Sequence, residues 1–379
     1  MKYIDEFRDG ALAADIARAI AAAVEPERTY RFMEFCGGHT HAIARYGLPD
    51  LLPANVRMIH GPGCPVCVLP IGRIDMAIEL ALEHHAIVCT YADTLRVPAS
   101  GGLTLLRARA QGGDIRMVYS VDDALRTARE HPDREVVFFA IGFETTTPAT
   151  AVALLQAAAE DLANFSVLCC HVLTPAAIAA ILDAPAREAP TGVPLDGFVG
   201  PAHVSTVIGS DPYAAFAGAY RKPVVIAGFE PLDVMQAILM LVRQVNSGRA
   251  EVENEFTRAV TPAGNRKAQQ LMDEVFELRP SFEWRGLGEI PRSALRIRER
   301  YARFDAERRY PLAYRTIADN RACECGPILR GLKRPIDCKL FGSVCTPETP
   351  MGSCMVSSEG ACAAHYTYGR HKDTVEGAA

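Results

Sequence analysis

The run VVFFAIGFETTTPATAVALLQAAAEDLAN (136–164) holds six apolar residues, five of them β-prone, a Gly-Phe-Glu-Thr-Thr-Thr turn, and an Ala/Leu-rich stretch beginning at Pro148. A strand apolar at every position, rather than at alternate ones, belongs in a sheet covered on both faces. The threonines supply hydroxyls to cap the following helix, and Pro148 suits its first turn. Working outward, further β-rich runs stand at 30–35, 56–59, 86–90, 115–119, 166–170, 197–199 and 223–227. Helical stretches at 10–25, 74–84, 120–130 and 231–247 alternate with them. This rhythm predicts α/β architecture with parallel sheets. Two α/β domains are expected, one over 1–132 and one over 133–250, divided at HPDRE (131–135). Gly-Phe-Glu recurs at 228–230 after another strand, a faint sign of an internal repeat. Residues 251–379 read as a charged helical connector, including Trp284 and RIRERYARFDAERRY (296–310), followed by a Cys-, Gly- and Pro-dense tail.

The chain has 379 residues, a formal net charge of −5 and 49% hydrophobic residues, with no electrostatic reason to expect nucleic acid or an anionic membrane as partner. No apolar run is long enough to span a bilayer, and the first residues lack a signal peptide's layout, so a cytoplasmic protein is expected. There are twelve cysteines, and in a reducing compartment they favour metal or redox chemistry over structural disulfides. Cys89, Cys169 and Cys170 lie in apolar runs and are expected to be buried core thiols.

In open parallel sheets ligands gather at the carboxyl ends of strands, and the unusual motifs follow predicted strands. CGGHTH (36–41) places a thiol beside two glycines, with His39 and His41 near enough to tune it or carry protons. In HGPGCPVC (60–67), Cys64 and Cys67 form a CxxC element. It suits either a reversible disulfide or two ligands to one metal, with Cys36 and a histidine completing a zinc set. In GFETTT (142–147), Glu144 and the threonines either cap a helix or bind a polar group, and His203 in GPAHVS (200–205) stands open between structure and function.

The tail carries Cys323, Cys325, Cys338, Cys345, Cys354 and Cys362 within 40 residues. Four thiolates bind a [4Fe–4S] cluster, and irregular Gly/Pro-rich chain can wrap one. The spacing fits neither a zinc ribbon nor the bacterial ferredoxin run. Two surplus cysteines suggest a thiol pair able to exchange electrons with the cluster, while zinc is the competing occupant.

Together MEFCGGHTHAI, HGPGCPVCV, AIGFETTTPAT, GPAHVSTVIG and the tail from CECGPILRG to GACAAHY resemble the HypD family, scaffold and redox proteins of [NiFe]-hydrogenase maturation. The resemblance covers nearly the whole chain. It implies two α/β domains plus a cluster-bearing third. It further implies a small HypC-type chaperone partner and a HypE-type cyanide donor. The pair would hold one iron while it gains two cyanides and one carbon monoxide, as Fe(CN)2CO. By the same resemblance Cys36 is the direct iron ligand, Cys64 and Cys67 a redox pair beside it, and Glu359 a relay between the centres. The implied cluster ligands are Cys323, Cys338, Cys345 and Cys362, with Cys325 and Cys354 exchangeable and Cys325 the alternative to Cys323. Two rival functions remain, a ferredoxin-linked thiol–disulfide reductase and a zinc-stabilised interaction scaffold.

Overall fold

The computed structural model describes residues 4–183 and 194–369. Nine strands build two parallel sheets: β1 (Tyr30–Glu34), β2 (Val56–His60), β3 (Ile87–Thr90), β4 (Ile115–Met117), β5 (Val136–Gly142), β6 (Phe165–His171), β7 (Gly197–Pro201), β8 (Val224–Ala227) and β9 (Val252–Asn254). The first sheet runs β2-β1-β7-β8-β9 and the second β4-β3-β5-β6. All pairings within them are parallel, so every connection needs a crossover, and helices supply most of them.

Burial explains the apolar runs. Along β5, Val137, Phe139 and Ile141 face a core shared between the sheets, while Val136, Phe138 and Ala140 face an outer core. In the first sheet, Met33 and Phe198 enter the shared core, whereas Tyr30, Phe32 and Val225 pack outward against helices that include Gly10–Ala23 and Pro231–Asn246. Each sheet is therefore sandwiched, and the space between them is one continuous apolar layer.

The expected division at 132/133 falls inside the second sheet, between β4 and β5. The chain builds two of the five strands of the first sheet, completes the second, and returns to finish the first. Both sheets open with the same order, one strand placed on one side of the founding strand and the next on the other. The two Gly-Phe-Glu segments do not mark that likeness, since they follow the third strand of one sheet and the fourth of the other.

The helical connector expected after residue 250 is corrected. It contains β10 (Phe276–Leu278) paired antiparallel with β13 (Leu295–Ile297), and β11 (Ser281–Trp284) paired with β12 (Gly288–Pro291). Phe282 and Trp284 are buried at alternate positions, as are Leu295 and Ile297, but strands of three or four residues hide that period in a charged sequence. RIRERYARFDAERRY spans the end of β13, a 3-10 turn (Glu299–Phe304) and a short helix (Ala306–Arg309). The cysteine-rich tail is irregular, with helices Cys325–Leu329 and Ala361–Tyr368.

Candidate functional site

In the first sheet the chain leaves β1 for β2 on one side, and β7 joins on the other, so the crevice between the carboxyl ends of β1 and β7 is a topological switch point. The second sheet has its switch between β3 and β5 for the same reason. The two crevices face one another. Between them lies a cleft of about 200 Å³ lined by Cys36 and His203 from the first sheet, Tyr91, Thr94, Thr145 and Thr146 from the second, and Glu359 from the tail.

Cys36 is the last extended residue before the helix Gly37–Arg45 and is 7% exposed. The amides of Gly38 and His203 point at its sulfur, so two helix N-termini converge there. Burial nevertheless dominates and, with the Glu359 carboxylate close by, pushes the thiol up to about 12. An arriving cation would have to displace the proton for the sulfur to bind it.

Glu34 was missed by sequence reasoning. Its carboxylate is fully buried and accepts hydrogen bonds from the Cys36 amide (3.0 Å), the Thr40 hydroxyl and His60 Nδ1 (2.9 Å). The only signal was a carboxylate at the end of a strand, two positions before the cysteine. His39 points away from the cleft. Its Nε2 donates to the carbonyls of Ala227 (2.9 Å) and Gly228 (3.0 Å), its Nδ1 is buried without a hydrogen-bond partner among the described residues, and burial lowers its pKa. It is a neutral imidazole pinning the helix to the end of β8. His41 packs edge-on against Tyr368 at 5.4 Å, also outside the lining. His203 is the histidine the fold brings to Cys36, and its ring packs at a tilt against Phe229, centroids 4.1 Å apart.

Cys64 and Cys67 form a disulfide with Cα atoms 5.2 Å apart, so in this state neither sulfur is a free thiolate for a metal. Their loop is pressed onto Cys36: the Gly37 amide donates to Gly63 O at 3.0 Å, and a methyl on Gly63 would collide with the Phe35–Cys36 backbone. From the tail, Ser353 Oγ donates to Cys67 O at 2.6 Å. Cys36, the disulfide and the segment around Cys354 and Glu359 are thereby joined. Glu144 behaves differently. It is buried, accepts from the amide and hydroxyl of Thr174 (both 3.0 Å), and is pushed up to about 7 by burial. Thr147 donates to Phe143 O at 2.9 Å. The capping expected of the threonines is not made: Thr146 is the N-cap of the helix Thr147–Ala159 without a side-chain hydrogen bond, and Glu144 instead bonds the first residue of the helix Thr174–Asp183, while Thr145 and Thr146 line the cleft. Cys89, Cys169 and Cys170 are buried core thiols, with burial raising each to about 11 or 12.

The six tail cysteines gather in one place. Cys323 and Cys325 have sulfurs 3.3 Å apart, and Cys325 is also within hydrogen-bonding reach of Cys354 and Cys362. Cys345 interacts electrostatically with Cys323 and Cys338, and Cys362 with Cys345 and Cys323. A methyl on Gly352 would come 2.6 Å from the Cys325 sulfur, so glycine there leaves room for the thiols. Among the described residues no three or more His, Cys, Asp or Glu side chains converge as a single ion requires. Six gathered thiols are two more than the four that a [4Fe–4S] cluster takes.

Comparison with known proteins is unambiguous. A sequence model of the HypD family, described as hydrogenase formation hypA family, matches residues 11–369. A hydrogenase maturation factor HypD of Cupriavidus necator is 72% identical over 373 residues, covering 98% of each chain. One from Rhizobium leguminosarum bv. viciae is 67% identical over 375 residues, covering 99% of this chain and 97% of its own. Another from Escherichia coli K12 is 46% identical over 373 residues, covering 97% and 98%. With the match running over nearly the full length and through every motif of the cleft, the chain belongs to the HypD family of hydrogenase maturation factors.

Proposed function

We propose that this protein holds one iron at Cys36 while cyanide and carbon monoxide are added to it, sharing that iron with a small HypC-type chaperone and receiving cyanide from a HypE-type partner. The observation that carries the reading is the setting of Cys36: a single free thiol at a switch-point crevice, with the Cys64–Cys67 disulfide loop packed against its backbone. One protein ligand leaves the remaining coordination positions of the iron open to the chaperone and to the incoming diatomics. Soft thiolate suits such a low-spin ferrous centre. Glu359 beside the sulfur, with its own pKa raised by burial, is placed to take the thiol proton as iron binds. Reducing the Cys64–Cys67 disulfide takes up two electrons and two protons and gives two thiols, and reoxidation returns them.

In this reading Cys323, Cys338, Cys345 and Cys362 hold a [4Fe–4S] cluster, which when bound supplies electrons one at a time. Cys325 and Cys354, in mutual reach, are the exchangeable pair. Ten free cysteines suit a reducing compartment, the cytoplasm.

The test is a Mössbauer spectrum of protein purified without air from cells grown on isotope-enriched iron, with the chaperone co-expressed. The expected result is a [4Fe–4S] signal plus a separate low-spin ferrous site, of which Cys36→Ala loses only the second. Retention of that second site in Cys36→Ala, or its absence from the parent, overturns the proposal.

A further inference from the structure

β2 is the edge strand of the first sheet, and its outer side is open among the described residues. The ladder to β1 begins with Tyr30 N–H on Asn55 O (2.7 Å) and ends with Gly61 N–H on Glu34 O (2.9 Å). The parallel register Tyr30↔Val56 to Glu34↔His60 then turns the backbone groups of Arg57 and Ile59 toward β1 and those of Met58 and His60 away from it. The outward N–H of Val56 is already taken by Pro53 O at 2.8 Å. The peptide groups of Met58 and His60 have no hydrogen-bond partner among the described residues. Alongside runs a groove of about 810 Å³, with the strand as one wall and Ile328, Leu332 and Pro335 from the tail as the other.

We infer that this edge is a docking surface for an acidic, extended segment of a partner protein, which adds to the first sheet as a further strand. Unpaired edge groups beside an apolar wall are what strand addition uses, with main-chain bonds for affinity and side-chain contacts for choice. A segment of about five residues, roughly 16 Å, matches β2. Charge decides its character. Arg31 and exposed Arg57 on the groove have no ion pair among the described residues, and its one carboxylate, Asp337, is already paired with Arg334. A second copy of this chain is a poor occupant, because β2 reads VRMIH and would set cation against cation. The edge ends at His60, whose Nδ1 bonds the Glu34 carboxylate that holds the Cys36 amide, so a docked segment lies beside the support of the cleft.

The test uses the full chain and two fluorescein-labelled peptides, one alternating valine with aspartate and one alternating valine with lysine, followed by fluorescence anisotropy. The aspartate peptide should bind about tenfold more tightly than the lysine peptide. Met58→Pro removes an outward N–H without touching the β1 ladder and should weaken that binding by a similar factor, about tenfold. Arg57→Glu, an exposed change that leaves the melting temperature in place, should reverse the preference. Equal binding of the two peptides, no binding of either, or binding indifferent to both variants would sink the inference. So would a concentration-dependent dimer of the free chain that Met58→Pro abolishes, since the edge would then belong to a second copy.

Discussion

At the residue scale the cleft rests on a buried carboxylate and a protonated thiol. Glu34 accepts from three donors, and two of them, the Cys36 amide and Thr40, lie in buried surroundings. Glu34→Ala strands those donors and should cost about 3 kcal/mol in urea unfolding, while Glu34→Gln, which keeps an acceptor, should cost clearly less. Cys36, raised to about 12, should react slowly with iodoacetamide at neutral pH, and its rate should still be climbing at pH 10. Glu359→Gln removes a neighbouring negative charge and should speed that alkylation; an unchanged rate would show that the carboxylate does not act on the sulfur. Glu144 gives a pH dependence whose sign is fixed. Its folded pKa, about 7, lies above the ordinary 4.5, so the folded state binds more protons between those values. Stability therefore falls as pH rises from about 4.5 to about 7 and is level above, by at most about 3 kcal/mol. Glu144→Gln should flatten that slope in denaturation curves taken across the range.

At the scale of elements, the hairpin β11–β12 shows how a short motif can be decisive and yet hard to read. Trp284, the single tryptophan, is fully buried, donates to Ser293 Oγ at 2.9 Å and lies 6.0 Å from Phe143, the residue just after β5. It anchors the hairpin beside the cleft wall. Its emission should be blue-shifted in the native protein, and Trp284→Phe should cost less than the about 3–5 kcal/mol expected of Trp284→Ala. The eight strands expected up to residue 227 are all present because each is a β-rich run set off by turn residues or helical stretches. β9 was not expected, since Val-Glu-Asn is too short and polar to declare itself. The hairpins escaped for a related reason: alternation over three or four residues does not stand out among arginines and glutamates.

At the scale of the whole molecule, the interleaving of the sheets governs both stability and site. A fragment ending at residue 132 lacks β5 and β6 of one sheet and β7 to β9 of the other. It should be unfolded by circular dichroism, and a folded fragment would contradict the shared core. The sequence by itself determined the α/β class, the first eight strands, the cysteine-rich tail, and the Cys36, CPVC and GFETTT motifs that meet at the cleft. These are local matters, written in apolar runs, Gly/Pro turns and clustered thiols. Tertiary structure alone decided the partners of each loop. Strand order is a non-local choice made by packing, and it brought His203 rather than His39 to Cys36, set the CPVC disulfide against that cysteine, and laid Glu359 over Gly37. Side-chain direction was also beyond the sequence, because His39 and His203 differ only in which way a helix turn aims them, and burial gives one ring to the core and the other to the cleft.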